Sequence, residues 1–98
     1  MKYLVTISLE AEKDLKEAFI WYEKNRTGLG YDFLLNIQAG FEFLERSPLA
    51  FPEIYKKVRR ILIKRFPYKI IYIINQSSVI VIGVIYGGRH PRHFNKRS

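Results

Sequence analysis

Apolar residues change their spacing twice along the chain, and each change marks a change of element. Residues 3 to 8, Tyr-Leu-Val-Thr-Ile-Ser, are rich in β-branched and aromatic types and predict a short first strand. Ser8 is then placed to cap a helix whose opening turns carry Glu10, Glu12 and Asp14 near the positive end of its dipole. Ala11, Leu15, Ala18, Phe19 and Tyr22 recur at helical spacing and define one buried face, with Glu12 and Lys16 an exposed pair four apart. Asn25 to Gly30 interrupts the pattern, and Gly28 suits the left-handed position at a helix end. Phe33, Leu34, Ile37, Phe41 and Leu44 resume it, so a second, antiparallel helix runs until Ser47-Pro48.

The segment Ser47 to Tyr55, with Pro48 and Pro52, reads as a loop. After it the period falls from about four to two. Runs starting at Val58, Tyr68 and Val79 are β-rich and predict three consecutive strands. Asn75-Gln76-Ser77-Ser78 is short enough for a hairpin, and Pro67 falls at a strand start, where its missing donor is tolerated. Residues 70 to 74 and 79 to 85 are apolar almost without break, which places those strands centrally, covered on both faces. The expected fold is α+β in the order β-α-α-β-β-β, a helical hairpin packed on a mainly antiparallel four-stranded sheet.

A chain of 98 residues, 48% hydrophobic and 15% aromatic, fits a single compact domain spanning 1–98 with a polar tail at 87–98. The absence of cysteine excludes a disulfide-stapled miniprotein, a thiolate metal site and a cysteine nucleophile. No apolar run approaches the length of a bilayer span and the amino terminus has no signal-like segment, so the expectation is cytoplasmic, with no membrane partner. Charge then divides the molecule. Residues 1–53 hold all nine acids and six bases, a net of −3, whereas residues 54–98 hold eleven bases and no acid, a net of +11. A basic half of this kind predicts an anionic partner: nucleic acid, the ribosome or an acidic protein segment.

The chemistry-bearing residues fall in that half. Lys56-Lys57-Val58-Arg59-Arg60, continued by Lys64, Arg65 and Lys69, puts cations on strands, with Arg60 and Lys64 sharing a face in an unbroken strand and Arg59 and Arg65 on the other side or the rims. Such a surface neutralises phosphates, but equally keeps sheet edges soluble. Arg65-Phe66-Pro67-Tyr68 reads as a proline-defined connection with Phe66 in the core, or as a contact site using Arg65 and Tyr68. Arg89-His90-Pro91-Arg92-His93 has the parts of a nuclease, a general acid or base beside phosphate-binding cations, yet the same residues serve as a solvated tail. Two histidines without cysteine or a nearby carboxylate do not make a zinc set. Trp21 and Tyr22 read as core or hairpin packing rather than a stacking platform. No phosphate-binding glycine loop and no Gly-x-Ser-x-Gly elbow is present, so neither nucleotide nor serine hydrolysis is supported and no cofactor is implied.

Several segments in register resemble the RelE/ParE superfamily of bacterial toxins: Ala11-x-x-Asp14-Leu15-x-x-Ala18, Trp21-Tyr22-Glu23, Gly28-Leu29-Gly30-x-x-Phe33-Leu34, Pro48-x-x-Phe51-Pro52, Val58-Arg59-Arg60, Arg65-Phe66-Pro67-Tyr68-x-Ile70-x-Tyr72 and Arg89-x-Pro91. The resemblance covers almost the whole chain and implies the toxin of a type II toxin–antitoxin, or plasmid stabilisation, pair. It implies two possible activities. The RelE-like branch is a metal-independent endoribonuclease acting on messenger RNA in the ribosome, and its pattern falls here on Arg60, Lys69 and Arg89, with His90 or His93 as stand-ins for a missing acid–base group. Two of its expected residues are replaced, a lysine by Leu62 and a C-terminal tyrosine near Phe94. The ParE-like branch poisons DNA gyrase without nuclease residues, and the Arg-Phe-Pro-Tyr and Gly-Leu-Gly segments look more like it. The expectation is therefore a ParE-like toxin with a cognate antitoxin and DNA gyrase as partners, using Arg59, Arg60, Arg65, Tyr68, Lys69, Arg89 and Arg92 as contacts. A ribosome-dependent mRNA endoribonuclease and a non-toxic nucleic-acid-binding module are the alternatives.

Overall fold

The computed structural model describes residues 2–87. Strand β1 (Leu4–Ile7) leads directly into helix α1 (Leu9–Asn25), because the Ser8 side chain accepts the Ala11 N–H at 3.1 Å and caps the first turn. Helix α2 (Leu29–Arg46) runs back antiparallel and ends before a short 3-10 turn at Pro48–Ala50. Strands β2 (Glu53–Tyr55), β3 (Val58–Leu62), β4 (Tyr68–Asn75) and β5 (Ser78–Tyr86) complete the described chain.

The sheet has five strands in the order β1-β5-β4-β3-β2. β1 joins β5 in parallel, with Leu4 opposite Ser78 and Ile7 opposite Val81, while every other neighbour is antiparallel. The strand count corrects the expectation of four: the predicted loop Ser47 to Tyr55 contributes β2, an edge strand pairing Glu53 with Arg59 and Tyr55 with Val58. Three residues are too few for a period to show, and the prolines around them dominate the local pattern. The turn to β3 is Lys56-Lys57, at φ 39° and 67°, so these lysines lie in a left-handed turn and not on a strand.

Both helices lie on one face. Ala11, Ala18 and Tyr22 of α1 and Phe33, Ile37 and Leu44 of α2 pack on Ile70, Tyr72, Val79, Val81 and Val84. Phe33 is fully buried, so Phe33→Ala is of the class that costs about 3–5 kcal/mol. The opposite face carries a smaller cluster of Val58, Ile71, Ile82 and Ile85. β4 and β5 are thus central and buried on both sides, as their apolar runs predict. Between them a bulge at Ile82 shifts the register by one residue, since Val81 faces Tyr72 and Gly83 faces Ile71. This one-residue shift lets Val81 and Val84 both face the helices.

The helix connection explains two of the sequence segments together. Gly28 starts α2 at φ 91° with no side chain to cap it, and the Glu23 carboxylate supplies the cap, accepting the N–H groups of Gly28 at 2.8 Å and Gly30 at 2.9 Å. Gly30 is closely packed: an added Cβ would sit 2.8 Å from both Cδ1 and O of Phe19.

Candidate functional site

The strands divide the basic residues among three places. Arg60 and Lys69 come together on the sheet face away from the helices, on adjacent strands where Leu62 is paired with Lys69 and Arg60 with Ile71. Lys69 is only 3% exposed, and its Nζ donates to the Gly87 carbonyl at 3.2 Å. Burial, followed by the nearby Arg60 charge, lowers its pKa from the ordinary lysine value. Leu62 beside it is 64% exposed. An exposed leucine therefore stands next to a buried ammonium, the reverse of the usual partition.

Beside Arg60, β3 forms one wall of a groove of about 510 Å³. Phe43, Phe51, Pro52, Ile54 and Leu62 give it an apolar lining, and Arg60 and Lys64 supply the cations. β3 ends at Leu62, so Lys64 reaches the same groove as Arg60 from the connection rather than from an unbroken strand. The pairing of β2 with β3 stops at Arg59, leaving the outer edge of β3 from Arg60 to Leu62 without a strand beside it among the described residues. The surface offers apolar pockets, cationic rims and an open edge, which is the chemistry that holds an amphipathic, acid-bearing segment.

Arg59 belongs to a different group. It lies opposite Glu53, with its Nη2 3.8 Å from the Glu53 carboxylate, and its Nη1 donates to the Phe51 carbonyl. Glu53 also accepts the Lys57 N–H at 3.1 Å. These contacts fasten β2 to β3, so the structure gives Arg59 a supporting role in shaping the groove. Arg65 is exposed at φ 72° in the β3–β4 connection, with its guanidinium 5.9 Å from the centroid of the Phe66 ring. Phe66 is buried, as expected.

Tyr68, next to Lys69 in β4, faces the opposite side of the sheet, towards the helices. It packs with Tyr22, Phe33 and Tyr86 and lines a cleft of about 600 Å³ with Asp14, Glu17, Trp21 and Pro67. Tyr68 and Tyr22 both have raised pKa values, first through burial; neighbouring Tyr86 adds to both, and Asp14 adds to Tyr68. The expectation that Trp21 packs inside fails, because its side chain is 60% exposed at the cleft. Trp21 is one position out of phase with Ala18 and Tyr22, which was the available signal. The expected site residues Arg89, His90 and Arg92, with His93 and the replaced position Phe94, lie outside the described residues.

No group of three or more His, Cys, Asp or Glu side chains is arranged to hold a metal ion among the described residues. No described helix is long and apolar enough to cross a membrane.

Residues 5–91 match the family model described as "ParE toxin of type II toxin-antitoxin system, parDE", and the chain belongs to that family. A solved structure titled "Chromosomal ParDE TA system from P. aeruginosa" has a TM-score of 0.77 at 12% identity, covering 87% of this chain and 96% of that one. At that identity the likeness concerns the fold. No curated protein matches the sequence.

Proposed function

We propose that this toxin arrests growth by binding its target, with DNA gyrase as that target, and that a cognate antitoxin neutralises it, as in a plasmid stabilisation pair. The observation that carries this reading is the Leu62–Lys69 arrangement. Leu62, exposed where the nuclease pattern would place a lysine, has no proton to exchange, and Lys69 is buried with its ammonium directed to the Gly87 carbonyl. Arg60 and Lys64 remain as cations that can attract an anionic partner. The groove they rim suits the antitoxin, which this reading makes an acid-bearing chain whose apolar residues enter beside Phe43, Phe51 and Ile54.

Purified toxin added to a gyrase supercoiling reaction is expected to block supercoiling and accumulate cleaved DNA, and antitoxin should reverse both effects. Unchanged supercoiling and cleavage would remove gyrase as the target. One observation favours the ribosome-dependent nuclease: the lowered pKa of Lys69 beside Arg60 resembles the tuning of a general base. Toeprinting of a translated message separates the readings, since A-site cuts that vanish with Lys69→Met would establish the nuclease. Unimpaired growth after induction would instead favour the non-toxic binding module.

A further inference from the structure

The cleft lined by α1, β4 and β5 has the inverse chemistry to the cationic groove. Trp21, Tyr22, Tyr68 and Tyr86 bring aromatic surface to it, and Asp14 and Glu17 bring carboxylates. Tyr68 stands 6.0 Å from Tyr22 and 5.9 Å from Tyr86 between ring centroids, and Trp21 meets Tyr22 edge-on at 5.1 Å. In a protein of net charge +8, this concentration of π surface, phenol oxygens and carboxylates selects for a cation.

The cleft also adjoins an open strand edge. β1 pairs with β5 only as far as Val81, so β5 from Val84 to Tyr86 has no strand alongside it among the described residues. The Asp14 carboxylate accepts the Val84 N–H at 3.1 Å, marking this edge with a negative charge in place of a neutral strand neighbour. An extended chain pairing with that edge would turn alternate side chains towards the cleft. Guanidinium suits the lining better than ammonium: it is planar, stacks on aromatic rings and presents five donors to separated oxygens.

We propose that the Trp21–Tyr22–Tyr68–Tyr86 cleft is a docking site for an arginine side chain carried on an extended segment of a partner protein, with Glu17 supplying the counter-charge. This surface is separate from the Arg60–Lys64 groove, and the proposal does not depend on which target that groove takes. A toxin with one acid-seeking and one arginine-seeking surface grips a partner at two points of opposite sign, which fixes its orientation as well as its affinity.

Trp21 is the single tryptophan, so its fluorescence reports on the cleft directly. The full chain is titrated with blocked pentapeptides Thr-Val-Arg-Val-Thr and the same sequence with citrulline, glutamate or lysine at the centre, and with ethylguanidinium alone. The arginine peptide should give a saturable change, and citrulline, isosteric but neutral, should bind at least about tenfold more weakly. Lysine should fall between them, and Glu17→Gln and Tyr86→Leu, both at exposed positions, should each weaken the arginine peptide by about threefold or more, followed by calorimetry as well as fluorescence. Equal binding of the arginine, citrulline and glutamate peptides would overturn the proposal, as would affinity indifferent to both substitutions. Ethylguanidinium binding as tightly as the peptide would also overturn it, by making the cleft a small-cation site without a peptide partner.

Discussion

Removing one buried hydroxyl should change the stability of this protein in opposite directions at neutral and at high pH. Tyr72, fully buried in β4, donates its hydroxyl to the Pro48 carbonyl at 2.7 Å and so ties the 3-10 turn to the sheet. Burial pushes its pKa up from 10.0 to about 12, with the nearby Arg59 charge opposing part of the rise. The Tyr72→Phe variant keeps the ring and loses the hydrogen bond, leaving a buried carbonyl unsatisfied, which costs about 1.5 kcal/mol at pH 8. A group whose folded pKa is raised contributes stability that is complete below the unfolded pKa and is lost as pH climbs through the folded one, here from pH 10 to about 12. Wild type should therefore lose about 1.4 kcal/mol by roughly pH 11 and about 2.3 by roughly pH 12 through this residue, whereas the variant loses nothing through it. The two stability curves should cross near about pH 11, with the phenylalanine variant more stable above it. Urea unfolding of both proteins at a series of pH values measures this, and taking the difference removes the other six tyrosines from the comparison. A constant gap between the curves would refute the reasoning, because Tyr72 would then titrate alike in the folded and unfolded chain. The result bears on function through Pro48 and the following Phe51, which bring the groove wall against the sheet.

Lys69→Met should leave stability unchanged or raise it by about 1–3 kcal/mol at pH 7, because methionine fills the space without the desolvation penalty; wild type should regain ground as pH rises through the lowered folded pKa of Lys69 towards 10.5. A large loss in thermal unfolding would show that the Lys69–Gly87 bond outweighs burial. Glu23→Ala should cost about 1–2 kcal/mol in denaturant melts, since two helix-start N–H groups lose their acceptor, and Glu23→Gln should recover part of it. Gly30→Ala should cost about 1–3 kcal/mol, as its Cβ would press on the Phe19 carbonyl, and a neutral result would mean that α1 and α2 separate more readily than their packing implies.

The candidate surfaces were legible in unequal measure. The cations of β3 and β4 were visible as residues, and alternation put Arg60 on one face correctly. What alternation did not carry was depth: Lys69 reads as one more exposed base, yet β4 is the middle strand of five and no side of it is open at that point. Lys56 and Lys57 looked like the start of a strand because nothing local distinguishes a basic strand from a basic left-handed turn. Arg59 looked like a free contact because its tie to Glu53 arises only when β2 folds back beside β3. The aromatic cleft was missed altogether. Its lining comes from α1, the β3–β4 connection, β4 and β5, residues brought together only when the helix is laid across the sheet end.

Local physics sufficed for the helices and long strands. The Ser8 cap, the Phe33 to Leu44 helical face, the helix stop before Pro48 and the apolar density of residues 70–74 and 79–85 depend on neighbours a few positions away, so they are written in order along the chain. Tertiary structure decided whatever depends on distant partners. The Glu23 carboxylate becomes a helix cap only because the chain turns at Gly28; the Ile82 bulge is invisible in a run where every residue is apolar; and β1 finds its parallel place beside β5 across some seventy residues. The sequence by itself determined the two helices, four of the five described strands and the split between acidic and basic halves. Which cations face solvent, which are buried and where an acidic pocket opens followed from the packing of helix on sheet, because burial and electrostatic neighbourhood belong to the assembled molecule and not to any stretch of its chain.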